Sequence, residues 1–348
     1  MNATALKNIR DLTLSELEAY FLATGEKKFR AAQVYQWLWQ KGATEFGNMS
    51  NLSKELREKL QQNFSFPSLK INTAQQSADG TYKLRFETFD KHYVEGVFIP
   101  TEKRTTACVS SQIGCSLSCQ FCATGFLPRK RNLNFDEIYD EVVLINKHSE
   151  ATTGKRLSNI VFMGMGEPLL NYSNVLKAID KITAEDGLGM SARRITVSTA
   201  GLSKQIKKLG DDKVRFKLAL SLHAANDKKR NEIMPINETN NIQSLIDSLN
   251  YFYKQTGNEI TFEYILFQNF NDSQKDAEEL VKLYRKVPAD LINIIEYNAV
   301  EGTNFAKPSE EVTEAFMKFL EKNKVNARLR RSRGKDIDAA CGQLANKN

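Results

Sequence analysis

Three cysteines on one short loop are the residues of this sequence best suited to chemistry. Cys115, Cys119 and Cys122 stand in the segment CSLSCQFCATG with the spacing C-x3-C-x2-C. Thiolates are the soft ligands that iron–sulfur clusters need, and three of them can hold three irons of a [4Fe–4S] cube while the fourth iron stays open. A structural zinc site usually closes with a fourth Cys or His, and the nearest downstream candidate is His148. Structural zinc and unpaired core cysteines are the alternative interpretations.

Phe121 stands directly before the third thiol and completes the motif C-x3-C-x-F-C. This motif resembles the cluster-binding loop of radical S-adenosylmethionine (SAM) enzymes. The resemblance implies a [4Fe–4S] cluster on the three cysteines, with the methionine end of SAM bound to the open iron.

Composition describes a globular protein that favours an anionic partner. The chain has 348 residues, 41% hydrophobic residues and a formal net charge of +7. It lacks a run of eighteen apolar residues, and its start, MNATALKNIRDLT, lacks the apolar stretch of a signal peptide. We therefore expect a cytoplasmic protein without membrane association, in which thiols stay reduced. Five cysteines, an odd number, argue against a disulfide framework.

Residues 1–66 read as a small helical accessory domain. Thr13 opens a capping box, FRAAQVYQWLWQKG forms a second amphipathic helix, and a third helix starts near Ser53. Basic residues accompany both tryptophans of this region. One interpretation is a helical core with a solvated basic rim; the other is an RNA-docking module in which Trp39 stacks on a base.

Residues 67–100 read as a β-hairpin linker. Tyr82–Glu87 follows the turn signal Asp79-Gly80, and a second strand covers Tyr93–Ile99. Glu95 lies among apolar residues of this second strand. Without other information, a carboxylate on an edge strand that faces water is the simplest interpretation.

Residues 101–335 alternate between strand and helix, which predicts an α/β fold with a parallel sheet. A full eight-unit barrel needs about 250 residues, and this repeat is shorter, so we expect an incomplete, laterally open (βα)6 barrel. A tail at 336–348 follows and carries Cys341. The predicted strands are residues 106–110, 159–163, 195–199, 216–222, 260–267 and 291–297. The predicted helices are residues 135–146, 174–182, 242–253, 277–286 and 312–322.

Polar residues follow the predicted strands, where parallel barrels place their sites. The segment GMGEP contains a glycine turn that lets backbone approach a ligand, and its Glu167 can hold an ammonium group. Ser198, His223 and Asn298 can satisfy ribose hydroxyls and a carboxylate, as SAM presents. Taken alone, the glycines could serve only a tight turn, and Glu167 could cap the next helix.

The two ends of the core carry a more specific resemblance. The C-terminal segment GKDIDAACGQL contains Cys341, which on its own would be taken as inert, and ACVSSQIGC contains Cys108. Together with FRAAQVYQWL, YVEGVFIP, FMGMGEPLLN, SLHAANDKKR and MPIN, they resemble the radical SAM adenine C2-methyltransferases of 23S ribosomal RNA and transfer RNA. The resemblance extends from about Thr13 to Leu344.

This resemblance implies a mechanism that uses two SAM molecules per turnover. The first methylates Cys341; the second gives a 5′-deoxyadenosyl radical that activates this methyl group, which then adds to adenine C2. Cys108 helps to release the adduct and forms a disulfide with Cys341, and Glu95 matches the proton acceptor. The SAM contacts carried over are Gly166, Glu167, Ser198, Ser221, Leu222, His223 and Asn298.

The resemblance also implies the partners. The RNA targets are an adenine near the peptidyl transferase centre and the adenine 3′ of the anticodon, with an electron donor such as flavodoxin and a monomeric enzyme. The basic runs Arg129–Arg131, Arg193–Arg194 and Arg328–Arg333 suit RNA, or are simply solvated surface. Ala299 replaces a proline common in relatives, which leaves the geometry of the Asn298 loop open. A related class methylates adenine C8; Pro168 favours the C2 group.

Overall fold

A computed structural model describes residues 6–347, so residues 1–5 and 348, at the ends of the first and last predicted regions, lie outside the described part. The helices are α1 (Leu14–Ala23), α2 (Phe29–Trp39), α3 (Lys54–Asn63), α4 (Phe135–Thr153), α5 (Tyr172–Thr183), α6 (Ser203–Asp211), α7 (Asp227–Ile233), α8 (Ile242–Thr256), α9 (Gln274–Tyr284) and α10 (Glu310–Lys322). The strands are β1 (Lys7–Asn8), β2 (Phe64–Ser65), β3 (Lys70–Gln76), β4 (Tyr82–Glu87), β5 (Tyr93–Pro100), β6 (Thr105–Cys108), β7 (Gln112–Ile113), β8 (Arg131–Asn132), β9 (Asn159–Phe162), β10 (Ile195–Thr199), β11 (Lys217–Ser221), β12 (Ile260–Leu266), β13 (Leu291–Glu296) and β14 (Ala327–Arg330).

The N-terminal region folds as the helix signals predict. The Thr13 hydroxyl accepts from the Glu16 N–H at 3.2 Å, and the Glu16 carboxylate accepts from the Thr13 N–H at 2.7 Å, which completes the capping box. The interpretation of Trp39 as a base-stacking residue is wrong. Its ring is fully buried and packs against Phe135 and Tyr139 of α4, so it belongs to the core that joins this region to the barrel.

A buried ion pair strengthens the same junction. The Arg10 guanidinium lies 2.7 Å from Asp140, and both side chains are almost fully buried. Asp140 also accepts the Leu69 N–H at 3.0 Å, so one carboxylate holds two segments of the N-terminal half against α4.

We expect Asp140→Ala to lower the free energy of unfolding by about 3–5 kcal/mol, because it leaves the Arg10 charge buried without a partner. Urea unfolding followed by circular dichroism measures this loss. The control is Glu18→Ala, which breaks the ion pair between Glu18 and Lys28. The Lys28 side chain is 64% exposed, so this variant should lose less than about 1 kcal/mol of unfolding free energy. Equal losses for the two variants would contradict the argument.

Residues 70–100 form a three-stranded antiparallel extension rather than an isolated hairpin. Strand β4 pairs with β3 and β5, and β5 pairs with β6 of the barrel, so the extension and the barrel share one sheet. Strand β5 is therefore internal. Glu95 on this strand is fully buried, so the interpretation as an edge carboxylate facing water is wrong.

The parallel part of the sheet matches the predicted incomplete barrel. Its strand order is β6-β9-β10-β11-β12-β13-β14, and the linear order of the whole sheet, from β14 to β3, leaves the barrel open. All six predicted strands are present, and β14 adds a seventh parallel strand after α10. Helix α4 runs seven residues beyond its predicted end at 146. Helices α6 and α7 had not been predicted.

Within residues 6–347, the longest apolar stretches on helices fall short of what a bilayer-spanning segment requires.

Candidate functional site

One cavity at the carboxyl ends of the parallel strands collects most of the predicted site. Parallel strands bring their ends to a common edge, so residues far apart in the chain converge there. The predicted residues that line this cavity are Cys115, Cys119, Cys122, Gly166, Glu167, Ser198, Ser221, His223 and Cys341.

The cysteine loop closes on itself tightly. The Gly125 N–H donates to the Cys122 carbonyl at 2.8 Å, and a Cβ on Gly125 would lie 2.8 Å from the Cys119 carbonyl oxygen, so a larger residue would push the loop open. Burial raises the pKa of all three thiols, that of Cys115 to about 11. They therefore stay protonated until a metal replaces the proton.

The three thiols do not converge as ligands of a single ion would. In the described part of the chain, no three His, Cys, Asp or Glu side chains are grouped closely enough to hold one metal ion. The thiolates of a [4Fe–4S] cluster each bind a different iron, so they need only face one cavity. That is the arrangement of Cys115, Cys119 and Cys122.

The glycine turn after β9 is fitted around Gln112. Gly166 has a φ of +90°, and a Cβ there would lie 2.4 Å from the Gln112 Cβ. The Gln112 side-chain oxygen accepts the Glu167 N–H at 2.9 Å. Glycine is thus required both for the backbone conformation and for the close approach of Gln112.

Glu167 caps the turn that follows it, which is one of the two tasks considered for it. One carboxylate oxygen accepts the Leu169 N–H at 3.0 Å and caps the following turn; the other accepts the Ala200 N–H at 2.8 Å. Burial raises the pKa of Glu167 to about 7, because the two N–H groups only partly replace water. Each oxygen keeps a second lone pair, and the group lines the cavity, so an ammonium can bind there.

His223 is held as a neutral hydrogen-bond donor. Its Nδ1 accepts the Ile265 N–H at 3.1 Å, which leaves the proton on Nε2. Burial, reinforced by the Arg230 charge, lowers the pKa of His223 to about 3. The ring meets Phe121 of the cysteine loop edge to face at 4.7 Å. Ser198 and Ser221 lie 3.3 Å apart, hydroxyl to hydroxyl, and add two polar groups to the same wall.

Two predicted contacts lie behind the cavity wall. Leu222 is buried, and its N–H donates to the Glu263 carbonyl at 2.9 Å, so only its backbone helps to shape the site. The Asn298 amide donates to the Cys341 carbonyl at 3.2 Å, while its buried oxygen lacks a hydrogen-bond partner among residues 6–347.

The tail passes over the cysteine loop and presents Cys341 to the cavity. The Gly342 carbonyl accepts the Ala123 N–H at 2.7 Å, and the Leu344 carbonyl accepts the Thr124 hydroxyl at 2.6 Å. Beyond these contacts, the Ala345 and Asn346 N–H groups both donate to Glu95, at 3.0 and 3.1 Å. These hydrogen bonds hold the tail against the cysteine loop and against Glu95, although the three segments are far apart in the sequence.

Cys108 and Glu95 lie beside this arrangement rather than on the cavity lining. Burial raises the pKa of Cys108 to about 12, with a further contribution from the nearby Cys341 sulfur. All five cysteines are free thiols in this structure. Glu95 also lies 3.4 Å from the buried Lys83 ammonium, which balances its charge.

Two charged residues that line the cavity, Arg330 and Glu263, were not predicted as site residues from the sequence. Arg330 lines the cavity, lies 3.7 Å from Glu263 and interacts electrostatically with Cys341 and Cys108. It had been assigned to the RNA-facing run Arg328–Arg333. Glu263 had a usable signal, since an acid within the apolar strand ITFEYIL points to a buried polar site.

Two cations of the basic runs are less available to RNA than expected, whereas Arg193, Arg194, Arg328 and Arg331 are exposed. Arg131 donates to both Asp90 and Glu137, and Arg333 bonds the turn at Asp79, so both cations already have acidic partners. Exposed cations of the first run remain at Arg129 and Lys130.

The residues present fit a cluster with a bound SAM. Soft thiols, neutral donors, a carboxylate and backbone fitted around Gly166 line the same cavity. The unpartnered oxygen of Asn298, behind the cavity wall, marks an unmet polar requirement nearby.

Comparison with known proteins identifies the family. The model "Ribosomal RNA large subunit methyltransferase N-terminal domain" matches residues 7–65, and "Radical SAM superfamily" matches residues 109–284. A probable dual-specificity RNA methyltransferase RlmN of Cytophaga hutchinsonii is 56% identical over 339 residues, covering 97% of this chain and 93% of the relative. The dual-specificity RNA methyltransferase RlmN 2 of Myxococcus xanthus is 43% identical and covers 98% of this chain and 91% of its own.

A crystal structure of a radical SAM methyltransferase from Sphaerobacter thermophilus superposes with a TM-score of 0.92 at 39% identity, covering 97% of this chain and 99% of that one. Radical SAM enzymes use a [4Fe–4S] cluster and SAM, which are therefore the cofactors of this protein. The chain belongs to the RlmN family of dual-specificity RNA methyltransferases within the radical SAM superfamily.

Proposed function

We propose that this protein methylates C2 of an adenine in 23S ribosomal RNA, near the peptidyl transferase centre, and of the adenine 3′ of the anticodon in transfer RNAs. Two SAM molecules are consumed per turnover, and Cys341 carries the methyl group. The observation that carries the proposal is the position of Cys341, which lines the same cavity as the three cluster thiols although it lies over 200 residues away in the chain. Family membership supports the choice of RNA as substrate.

The cofactors occupy defined parts of the cavity in this proposal. Cys115, Cys119 and Cys122 hold the cluster, Glu167 binds the SAM ammonium, and the neutral His223 donates a hydrogen bond. Ser198 and Ser221 add hydroxyl groups, the turn at Gly166 and the backbone of Leu222 shape the pocket, and Asn298 positions its edge. When bound, the cluster and SAM supply a methyl group and one-electron chemistry that generates a carbon radical.

Cys341 must act as a methyl carrier because adenine C2 is electron-poor and cannot attack a sulfonium methyl directly. A thiolate can accept the methyl, since sulfur is a strong nucleophile once deprotonated. The Arg330 guanidinium supports the ionised sulfur, because it lies in the same cavity wall and interacts electrostatically with Cys341. The tail bonds to Ala123 and Thr124 hold this sulfur at the cavity.

Glu95 and Cys108 complete the transfer in this proposal. Glu95 accepts a proton from the modified base, and its burial near Lys83 keeps the carboxylate in a defined position. Cys108, as a thiolate, then attacks the Cys341 sulfur: a disulfide forms, the bond between this sulfur and the methylene group on the base breaks, and the released carbon takes up a proton to become the methyl group. The electrostatic coupling of Cys108, Cys341 and Arg330 supports this pairing.

The proposal assigns a separate task to each of the four predicted regions of the chain. Residues 1–66 would dock the RNA, 67–100 carry Glu95, 101–335 form the radical SAM core and 336–348 deliver Cys341. A one-electron donor such as flavodoxin would reduce the cluster of a monomeric enzyme, and the RNA substrates favour a cytoplasmic location. The target adenine has to be flipped or unpaired to enter the cavity.

Incubation of the protein with RNA, SAM carrying a labelled methyl group and a reductant under nitrogen tests the function. Nucleoside analysis by mass spectrometry should give 2-methyladenosine from both RNA classes. Finding 8-methyladenosine alone would instead assign the C8-methylating class. Colourless protein with one zinc and no iron would support an RNA-binding module without catalysis.

Cys108→Ala should trap RNA covalently on the protein, because the bond between Cys341 and the adenine then lacks its resolving thiol. Denaturing gel electrophoresis of the reaction with labelled RNA measures the adduct. The double variant with Cys341→Ala is the control, since it cannot form this bond. Clean multiple turnover by Cys108→Ala would remove Cys108 from the mechanism.

A further inference from the structure

Arg230 is a buried cation whose hydrogen bonds within residues 6–347 reach no carboxylate. The residue lies on α7 and its side chain is 0% exposed. Its hydrogen bonds go to the carbonyls of Leu222, Ser221 and Ala200 and to the side-chain oxygen of Asn237, the last at 2.7 Å. Carbonyl oxygens satisfy the N–H donors but do not cancel the charge.

These bonds join two of the strand ends that build the cavity. Ala200 follows β10, Ser221 ends β11 and Leu222 follows it, and both Ala200 and Ser221 line the cavity. One guanidinium therefore fixes the separation of two neighbouring strands at their carboxyl ends. The segment SLHAANDKKR ends at Arg230 and also contains Ser221 and Leu222, whose carbonyls accept hydrogen bonds from Arg230.

Cys119 and Asp227 are the groups able to carry negative charge that interact electrostatically with Arg230. Asp227 is already engaged, since its carboxylate accepts from the Asn237 amide at 2.9 Å and from the Ile242 N–H at 2.8 Å. Cys119 belongs to the cluster loop. The Gln120 N–H, next to Cys119, donates to the Ile233 carbonyl of α7 at 3.0 Å, so the loop and the helix that carries Arg230 are directly joined.

A buried charge without a counter-charge is costly, and burial lowers the pKa of Arg230 to about 10. A cluster bound by three thiolates carries negative charge and would supply the missing counter-charge. One-electron reduction adds a further negative charge to the cluster. In a medium of low dielectric constant a nearby cation stabilises the reduced form more than the oxidised form.

We propose that Arg230 is a positioning residue whose buried positive charge, held against the carbonyls of the cavity-lining Ala200 and Ser221, favours the reduced state of the cluster. This inference rests on the proposed function only in assuming that the three cysteines hold the cluster. It assigns to Arg230 control of how readily an electron enters the site, in addition to holding β10 and β11 together.

The test compares Arg230→Met, which removes the charge, with Arg230→Lys, which retains it. Each cluster-loaded protein is titrated with dithionite and redox mediators under nitrogen, and the reduced cluster is counted by electron paramagnetic resonance. At a fixed potential we expect at least a tenfold smaller ratio of reduced to oxidised cluster for Arg230→Met, equivalent to about 59 mV for a one-electron couple. Arg230→Lys should stay near the wild type. Lys229→Met is the matched control, because the Lys229 ammonium pairs with Asp276.

Three outcomes would overturn the proposal: unchanged potentials in both Arg230 variants, equal shifts in both, or loss of the cluster from Arg230→Lys as well as Arg230→Met. If Arg230→Met alone loses its cluster, Arg230→Gln replaces it in the titration. Loss of the cluster from both neutral variants, but not from Arg230→Lys, would support the need for the charge. Absence of a cluster from the wild type would instead overturn the proposed function.

Discussion

Cys341→Ala should lower RNA methylation by more than about 10³-fold, because it removes the nucleophile that carries the methyl group. The cluster should still assemble and SAM should still bind, since Cys341 contributes its backbone carbonyl, rather than its sulfur, to the hydrogen bond with Asn298. Iron content, SAM binding and the yield of labelled 2-methyladenosine measure the three properties separately. Intact-protein mass spectrometry should show that the variant never gains a methyl group.

The control for this variant keeps the Cys341 thiol but removes hydrogen bonds that hold the tail in place. The Gln343 side chain donates to the Ala299 carbonyl at 3.2 Å and accepts the Ala340 N–H at 3.3 Å, and Gln343→Ala removes both contacts. It should retain most of the activity. Methylated RNA produced by Cys341→Ala would exclude Cys341 as the carrier, whereas equal inactivity of both variants would point to tail geometry.

Gly166→Ala should weaken SAM binding by at least a hundredfold, about 2.7 kcal/mol. A side chain at φ +90° is strained, and the added Cβ would lie 2.4 Å from the Gln112 Cβ and 2.9 Å from its backbone nitrogen. Gln112 must then move, and its bond to the Glu167 N–H is lost. Equilibrium dialysis of SAM against the cluster-loaded protein measures the effect.

Gly257→Ala separates backbone strain from the clash. Gly257 ends α8 with a φ of +63°, and a Cβ there would meet no atom within 4 Å. This variant should lose about 1–2 kcal/mol of stability and bind SAM normally. If Gly166→Ala binds SAM as tightly as the wild type, the fit around Gln112 has no part in forming the cofactor site.

The barrel was predictable because most of its strands read as short apolar runs, of which β12 is buried at every position and β9 and β10 alternate buried with half-buried residues. The three cluster thiols were equally clear, since they lie within eight residues of one another. Glu95 was misjudged because its local sequence predicts a strand but does not show that β5 lies between β4 and β6 or that the tail bonds its carboxylate. Strand β3, KINTAQQ, was missed for a different reason: it is exposed at every position, so it lacks the alternation that marks a half-buried strand.

The fine structure of the site depends on contacts that local patterns do not record. Arg330 appeared in a basic run, and only the pairing of β14 with β13 turns it into the cavity rather than toward RNA. The bonds from the tail to Glu95 join residues 250 and 251 positions apart. Such contacts form only when the whole chain is folded. The family resemblance therefore indicated the site residues but not the residues that they contact.

The turn that joins β3 to β4 sets a limit on how far the methyl group can be carried. The Ala78 N–H donates to Asp336 at 3.0 Å and the Gly334 N–H donates to Asp79 at 2.9 Å, which tethers the start of the tail. Five peptide steps separate Asp336 from Cys341, and a fully stretched chain spans at most about 17–18 Å over that distance. Even if the contacts of residues 342–346 were released, the Cys341 sulfur could move only within this distance of Asp336. The target adenine therefore has to enter the cavity, because Cys341 cannot reach far out of it.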